Sequence, residues 1–275
     1  MADEPPRTRA ARAAAERALI RVVHHYGARP EFVLLGGLVP DLLCARSGFT
    51  HSGTTDVDVQ VNLEIAAGAV NAAKLEQALR NAEFEPDADR VWRWRADDGP
   101  AVVKFELLAD LDTERAGSTI VFDGCDALGA ANLRGTGFAV RDIEIHRLRA
   151  RVGGVEQTSE INVTGLAGFL LAKCAAAHSR RKPKDWYDIA YVLLHNDAGG
   201  VDHGARAVLD RFAADVPSMQ TALDDLADNF ADPGAQGAKA YAQEMSRNHP
   251  ELDHRRLLAD GVTAVQAFMD LVLRS

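Results

Sequence analysis

Positions 56 to 63 alternate strictly along the chain. Val57, Val59, Val61 and Leu63 are apolar, and Asp56, Asp58, Gln60 and Asn62 between them are polar. A period of two marks a half-buried strand, because successive side chains point to opposite faces. Upstream, Thr8 to Tyr26 has helical spacing and ends at Gly27, a residue suited to a left-handed helix cap. Glu31 to Leu35 reads as a short apolar strand ending in Gly36-Gly37. Leu38 to Ala45 then reads as a helix with Pro40 in its first turn. Arg46 to Thr54, rich in Gly, Ser and Thr, reads as loop.

Further on, the spacing predicts a helix over about Ala69 to Asn81. Val91 to Arg95 and Ala101 to Leu108 read as a hairpin, joined through a longer loop at Asp97-Asp98-Gly99-Pro100. Asp110 to Ala131 has no clear period and reads as loop mixed with short strand. Phe138 to Arg151 is a further strand, closed by Gly153-Gly154. After about Glu160 the character changes. Leu166 to His178, Asp185 to His195, Gly204 to Phe212, Met219 to Asn229 and Leu257 to Leu273 all have helical spacing. The expected class is α+β: a mixed sheet flanked by helices over residues 1–160, then a helical domain over 161–275.

With 47% hydrophobic and 26% charged side chains over 275 residues, the chain has material for a sizeable core. No run of about 18 apolar residues exists, so no membrane span is expected. Asp3, Glu4, Pro5 and Pro6 with no following apolar region do not read as a secretory signal. The three cysteines, Cys44, Cys125 and Cys174, have no metal spacing or disulfide framework, which fits a reducing cytoplasm. Nine histidines show no zinc-ligand spacing. A net charge of −9 disfavours broad electrostatic binding of nucleic acid. The densest local exception is Arg180-Arg181-Lys182-Pro183-Lys184.

The candidate chemistry lies in the acids of the alternating strand. Asp56 and Asp58 share a face, with Cα atoms roughly 6.6 Å apart, and repel each other unless a cation lies between them. Mg²⁺ prefers carboxylate oxygen, and paired Mg²⁺ ions can activate an attacking hydroxyl while neutralising a pyrophosphate leaving group. Glu106, in Val103-Lys104-Phe105-Glu106-Leu107-Leu108, is the best third acid, with Asp110 in reserve. The plain alternative is a solvated strand face, with Glu106 paired to Lys104. Gly36 and Gly37 suit a tight strand-to-helix turn whose bare backbone could meet phosphate. No G-K-[ST] follows and no G-x-G-x-x-G is present, so neither a P-loop nor a dinucleotide fingerprint is expected.

Gly36-Gly37, then Asp56-x-Asp58 on a strand, then a further acid, resembles the DNA polymerase beta-like nucleotidyltransferase superfamily. Leu171-Ala172-Lys173 followed by Arg180-Arg181-Lys182-Pro183-Lys184-Asp185-Trp186-Tyr187-Asp188-Ile189 is similar to the downstream motif of the AbiEii-type toxin nucleotidyltransferases. That resemblance implies a nucleotidyltransferase-like sheet and a Mg²⁺-dependent transfer of a nucleoside monophosphate from a triphosphate. It implies that Lys173 contacts triphosphate and that Asp185 positions or activates the acceptor. It further implies an RNA acceptor (a tRNA 3′ end) or a protein hydroxyl, and a neutralising antitoxin partner. Residue chemistry adds Lys182, with Arg181 and Lys184, as holders of triphosphate or acceptor backbone. The ordinary alternatives are a snorkelling lysine at 173, an N-terminal helix acid at 185 and surface charge at 182. Two other functional readings stand beside the first. One is an aminoglycoside-type small-molecule nucleotidyltransferase, which the acidic charge would suit. The other is a non-catalytic nucleotide-binding module.

Overall fold

The computed structural model describes residues 8–61, 69–99 and 101–274. In chain order it runs α1 (Arg9–Tyr26), β1 (Val33–Leu35), a 3₁₀ turn (Gly36–Leu38), α2 (Val39–Leu43), β2 (Asp56–Gln60) and α3 (Ala69–Asn81). There follow β3 (Glu85–Asp87), β4 (Arg90–Asp98), β5 (Ala101–Ala109), β6 (Thr119–Val121), β7 (Gly129–Asn132), α4 (Phe138–Arg141), β8 (Ile143–Val152) and β9 (Val155–Thr164). The remainder is helical: α5 (Leu166–Arg180), α6 (Pro183–His195), α7 (Val201–Phe212), a 3₁₀ turn (Val216–Met219), α8 (Gln220–Asn229), α9 (Gln236–Asn248) and α10 (His254–Leu273). The class is α+β, as the sequence predicts.

The chain divides into two compact units. One comprises Met1–Leu38 and Gly53–Thr164; the other comprises Val39–Ser52 and Gly165–Ser275. The division thus falls four residues later than the expected 160/161, and the short segment after the glycine bend goes with the helices.

The first unit is built on a nine-stranded mixed sheet in the order β3-β4-β5-β2-β1-β9-β8, with β6 and β7 branching from β5. Strand β2 runs antiparallel to β1 and parallel to β5, and β9 runs parallel to β1. On one face, Leu34, Val57, Val59, Trp94, Phe105, Leu107 and Val163 are all inaccessible to solvent. Helix α1 lies across this face and contacts β2, β4, β5, β8 and β9. Its stripe of Ala14, Ala15 and Ala18 lets it approach closely, while Leu19, Val22 and Val23 fill the layer. Thr8 caps it, its hydroxyl accepting from the Ala11 amide at 3.1 Å. The opposite face carries a smaller apolar cluster of Val33, Leu35, Leu108, Ala131 and Ala139. The charged row of the site lies on this second face.

Several expected elements differ in detail. Strand β2 ends at Gln60, although the Val61 amide still donates to the Leu108 carbonyl at 2.9 Å; Asn62 and Leu63 lie outside the described residues. The hairpin strands run on to Asp98 and resume at Ala101, so its loop is shorter than expected; Pro100 lies outside the described residues. Phe138 to Arg151 holds a helical turn, α4, before β8 begins. Strand β9 was not anticipated, because Glu156-Gln157-Thr158-Ser159-Glu160 carries no apolar alternation.

In the helical unit, Phe169, Tyr187, Tyr191, Phe212, Phe230, Tyr241 and Phe268 form the large buried side chains. Helix α9 was also not anticipated. Its buried face is Gly237, Ala238, Ala240, Tyr241, Ala242 and Met245, mostly too small to register as an apolar stripe. A Cβ at Gly237 would overlap the Phe230 ring, so smallness there is a packing requirement.

Candidate active site

The first unit places Gly36, Asp58 and Asp56 side by side. Register pairs Asp58 with Leu35 on β1 and with Glu106 on β5, while Asp56 faces Lys104. Gly36 follows Leu35 directly and has φ +78°, a conformation that favours glycine. A Cβ at Gly36 would collide with the Asp58 carboxylate. The missing side chain therefore makes room for an aspartate as well as turning the chain. Gly37 is similarly fitted beneath Thr54, whose side-chain atoms would lie 3.0 to 3.2 Å from an added Cβ. The Thr54 hydroxyl accepts from the Asp56 amide at 3.0 Å, which fixes the start of β2. The bend then continues as a 3₁₀ turn and the short α2, rather than the longer helix expected to Ala45.

A second set of charges borders the acids. The Lys104 ammonium lies 3.3 Å from Asp56 Oδ1, with both side chains a quarter exposed. Glu106 is in register with Asp58, as the third acid should be, but its carboxylate accepts from Arg93 Nε at 2.5 Å and also meets the Arg93 Nη2. The plain pairing expected for Glu106 was Lys104; the structure gives it to Arg93, its cross-strand partner on β4. Asp110, the reserve, accepts from the Gly135 and Gly137 amides at 2.8 and 3.0 Å and organises that loop. Among the described residues no group of three or more His, Cys, Asp or Glu side chains is placed to hold a metal ion. Mg²⁺ does not require such a cage, since it is often bound by one or two carboxylates plus substrate phosphates. Asp56 and Asp58, half-buried on one strand face, fit that mode; Glu106, already held by Arg93, does not add to it.

The second unit carries the downstream motif as a buried ionic cluster. Lys173 on α5 is 6% exposed, and its ammonium donates to Asp188 Oδ2 at 2.6 Å and to Asp185 Oδ1 at 3.2 Å. Both aspartates are fully buried on the first two turns of α6. Arg180 donates to Asp185 Oδ1 at 2.8 Å, and His51 Nε2 lies 2.9 Å from Asp188 Oδ1. Burial alone would lower the Lys173 pKa, but Asp188 and Asp185 together outweigh it and hold the ammonium above its ordinary value. Lys173 therefore does not snorkel. Asp185 Oδ2 is buried with no hydrogen-bond partner among the described residues. Lys182 caps α6 through its carbonyl, which accepts from the Asp185 amide at 3.0 Å; Lys182 is exposed and Lys184 half-buried.

Residues 46–52, a loop in the sequence reading, are pinned within this unit. The His51 ring stacks on Tyr187 at 4.8 Å, the Ser52 amide donates to the Tyr187 hydroxyl at 3.0 Å, and the Tyr191 hydroxyl donates to the Phe49 carbonyl at 3.0 Å. Ser52 also donates to Glu244 at 2.8 Å. Sequence reasoning missed His51, which sits in no motif. The Asp185/Asp188 spacing of three, one helical turn, was a usable signal that both face one way.

Among the described residues no helix is long and apolar enough to cross a membrane. No family model matches the chain, and no curated protein or solved structure matches it.

Proposed function

We propose that this chain is a Mg²⁺-dependent nucleotidyltransferase that moves a nucleoside monophosphate from a triphosphate to a hydroxyl acceptor. The observation that carries the reading is the fitted pair of bend and strand: Gly36 is bare where Asp58 stands, and Asp56 follows on the same face. The resemblance of these motifs to the polymerase beta-like superfamily and to AbiEii-type toxins supports it.

In this reading Asp56 and Asp58 hold the metal, which supplies charge neutralisation on the phosphates and a more acidic acceptor hydroxyl. Lys104 shields Asp56 and presents a cation at the edge of the same acid pair. The Gly36-Gly37 backbone gives the triphosphate close approach. Lys173 and Asp185 act as positioning residues: their buried pairing fixes the α5–α6 corner that carries Lys182 and Lys184. The proposed acceptor is RNA, a tRNA 3′ end in particular, or a protein, with the chain acting in the cytoplasm as a toxin neutralised by an antitoxin. The net charge of −9 favours a second reading, a cationic aminoglycoside-like acceptor.

The test is incubation with each α-labelled nucleoside triphosphate and Mg²⁺, offering total RNA, total protein or kanamycin in parallel. Label on RNA or protein supports the first reading, and label on kanamycin the second. Mg²⁺-dependent triphosphate binding with no transfer to any acceptor would leave a nucleotide-binding module and overturn both.

A further inference from the structure

Strand β8 is the longest edge of the sheet, and it is guarded by charge, mostly arginine, with no proline, glycine or bulge. It runs for ten residues, against three each for the edge strands β3 and β6. Its register with β9 is unbroken from Ile143↔Thr164 to Val152↔Val155, so no bulge twists it away. It contains no proline, glycine or lysine. Among the described residues no strand pairs with its outer side. Such an edge presents alternating N–H and C=O groups, and an extended peptide can add to it.

The side chains specify which peptide. Ile143, Ile145, Arg147, Arg149 and Arg151 share one face of β8 and are all exposed, Ile145 at 57%. On the other face Leu148 is buried, and α1 packs against the strand. Arg147 reaches Glu160 at 3.0 Å yet stays 61% exposed, and Arg151 Nε donates to the Gly154 carbonyl at 3.0 Å. Arg149 faces Thr158, which offers no counter-charge. The edge therefore reads as three alternate cations followed, in the reverse direction, by two alternate apolar residues.

We propose that β8 is the docking edge for an extended acidic segment of a partner protein. The segment adds antiparallel, with acidic side chains against Arg151, Arg149 and Arg147 and apolar ones against Ile145 and Ile143. Backbone pairing supplies the fit, and the arginines select the partner from a chain whose net charge is otherwise −9. A second copy of this strand is disfavoured, because antiparallel self-pairing centred on Arg147 sets that arginine against itself and Arg149 against Ile145. An RNA strand is disfavoured because this face of β8 carries no aromatic side chain on which bases could stack.

The probe is a fluorescein-labelled nonapeptide reading Glu-Thr-Glu-Thr-Glu-Thr-Val-Thr-Val, titrated with the intact chain by anisotropy. A scrambled peptide of the same composition and a nine-nucleotide oligouridylate are titrated in parallel. The patterned peptide is expected to bind most tightly, with affinity falling as salt rises. Arg149→Glu and Ile145→Lys should each weaken it by about tenfold or more, with thermal stability unchanged. The proposal is overturned if the scrambled peptide binds equally, if both variants bind like wild type, or if the oligonucleotide binds more tightly.

Discussion

Gly36 and Asp58 occupy one another's space: the carboxylate of Asp58 stands where a side chain on Gly36 would lie. The antiparallel register of Leu35 with Asp58 brings the two together, so the bend and the acid strand are a single fitted piece. Gly36→Ala should therefore destabilise the fold by about 1–3 kcal/mol, from the left-handed backbone and the collision together. Asp58→Ala should recover the collision part and leave the backbone part. Urea denaturation of the two single variants and the double variant measures the coupling; strict additivity would show that the two residues do not touch.

Asp56→Asn and Asp58→Asn should reduce transfer to below detection while the unfolding midpoint stays near wild type, since both side chains are half-buried and their isosteres keep the shape. Glu106→Gln should cost no more than about 10-fold in kcat, because Arg93 already engages that carboxylate. A Glu106→Gln enzyme as inactive as the Asp56 variant, with normal stability, would make Glu106 a ligand after all.

Lys173→Met leaves Asp185 and Asp188 buried without their shared ammonium, and should cost about 3–5 kcal/mol. The Lys173 pKa is raised in the folded chain, so its contribution is fully present below the unfolded value of about 10.4 and is lost as pH rises through the folded value. The buried phenols of Tyr187 and Tyr241, also raised, act in the same sense. The alkaline loss of stability should accordingly be smaller in Lys173→Met than in wild type. A variant with normal stability and only a raised KM for triphosphate would instead make Lys173 a direct substrate contact.

His195 should contribute to an acid limb of stability. Burial, and then the neighbouring His249, lower its pKa from 6.5 to about 4. The unfolded chain takes up this proton first, so stability present above pH 6.5 is lost as pH falls toward 4, by at most about 1.4 kcal/mol per pH unit. Denaturation midpoints for His195→Phe should fall less steeply across that window; an unchanged slope would assign the acid limb elsewhere.

Legibility in the sequence followed the size and spacing of apolar side chains. Helix α3 appears at the expected Ala69–Asn81, and β2 begins at Asp56, because each keeps its period cleanly. Helix α9 escaped because Gly237, Ala238, Ala240 and Ala242 pack by being small, and β9 escaped because its first half faces solvent. At the site, the Asp56-x-Asp58 pair and the glycine bend were visible as motifs, and Glu106 was expected on a neighbouring strand, where the register sets it opposite Asp58. Its capture by Arg93 was not visible, since the hairpin of β4 and β5 was expected but its register, which sets Arg93 opposite Glu106, is fixed only on folding. His51 was beyond reach for the same reason: its partner Asp188 is remote in sequence, and only folding makes them neighbours.

The excursion of Val39–Ser52 into the helical unit makes the two halves inseparable by a single cut. A fragment ending at Thr164 would carry Phe49, His51 and Ser52 without Tyr187, Tyr191, Asp188 or Glu244, the groups that enclose them. During synthesis the same stretch must wait, unburied, until α6 and α9 emerge from the ribosome. An isolated N-terminal half should therefore aggregate or depend on chaperones, because it leaves the otherwise buried His51 and Ser52 without the groups that cover them.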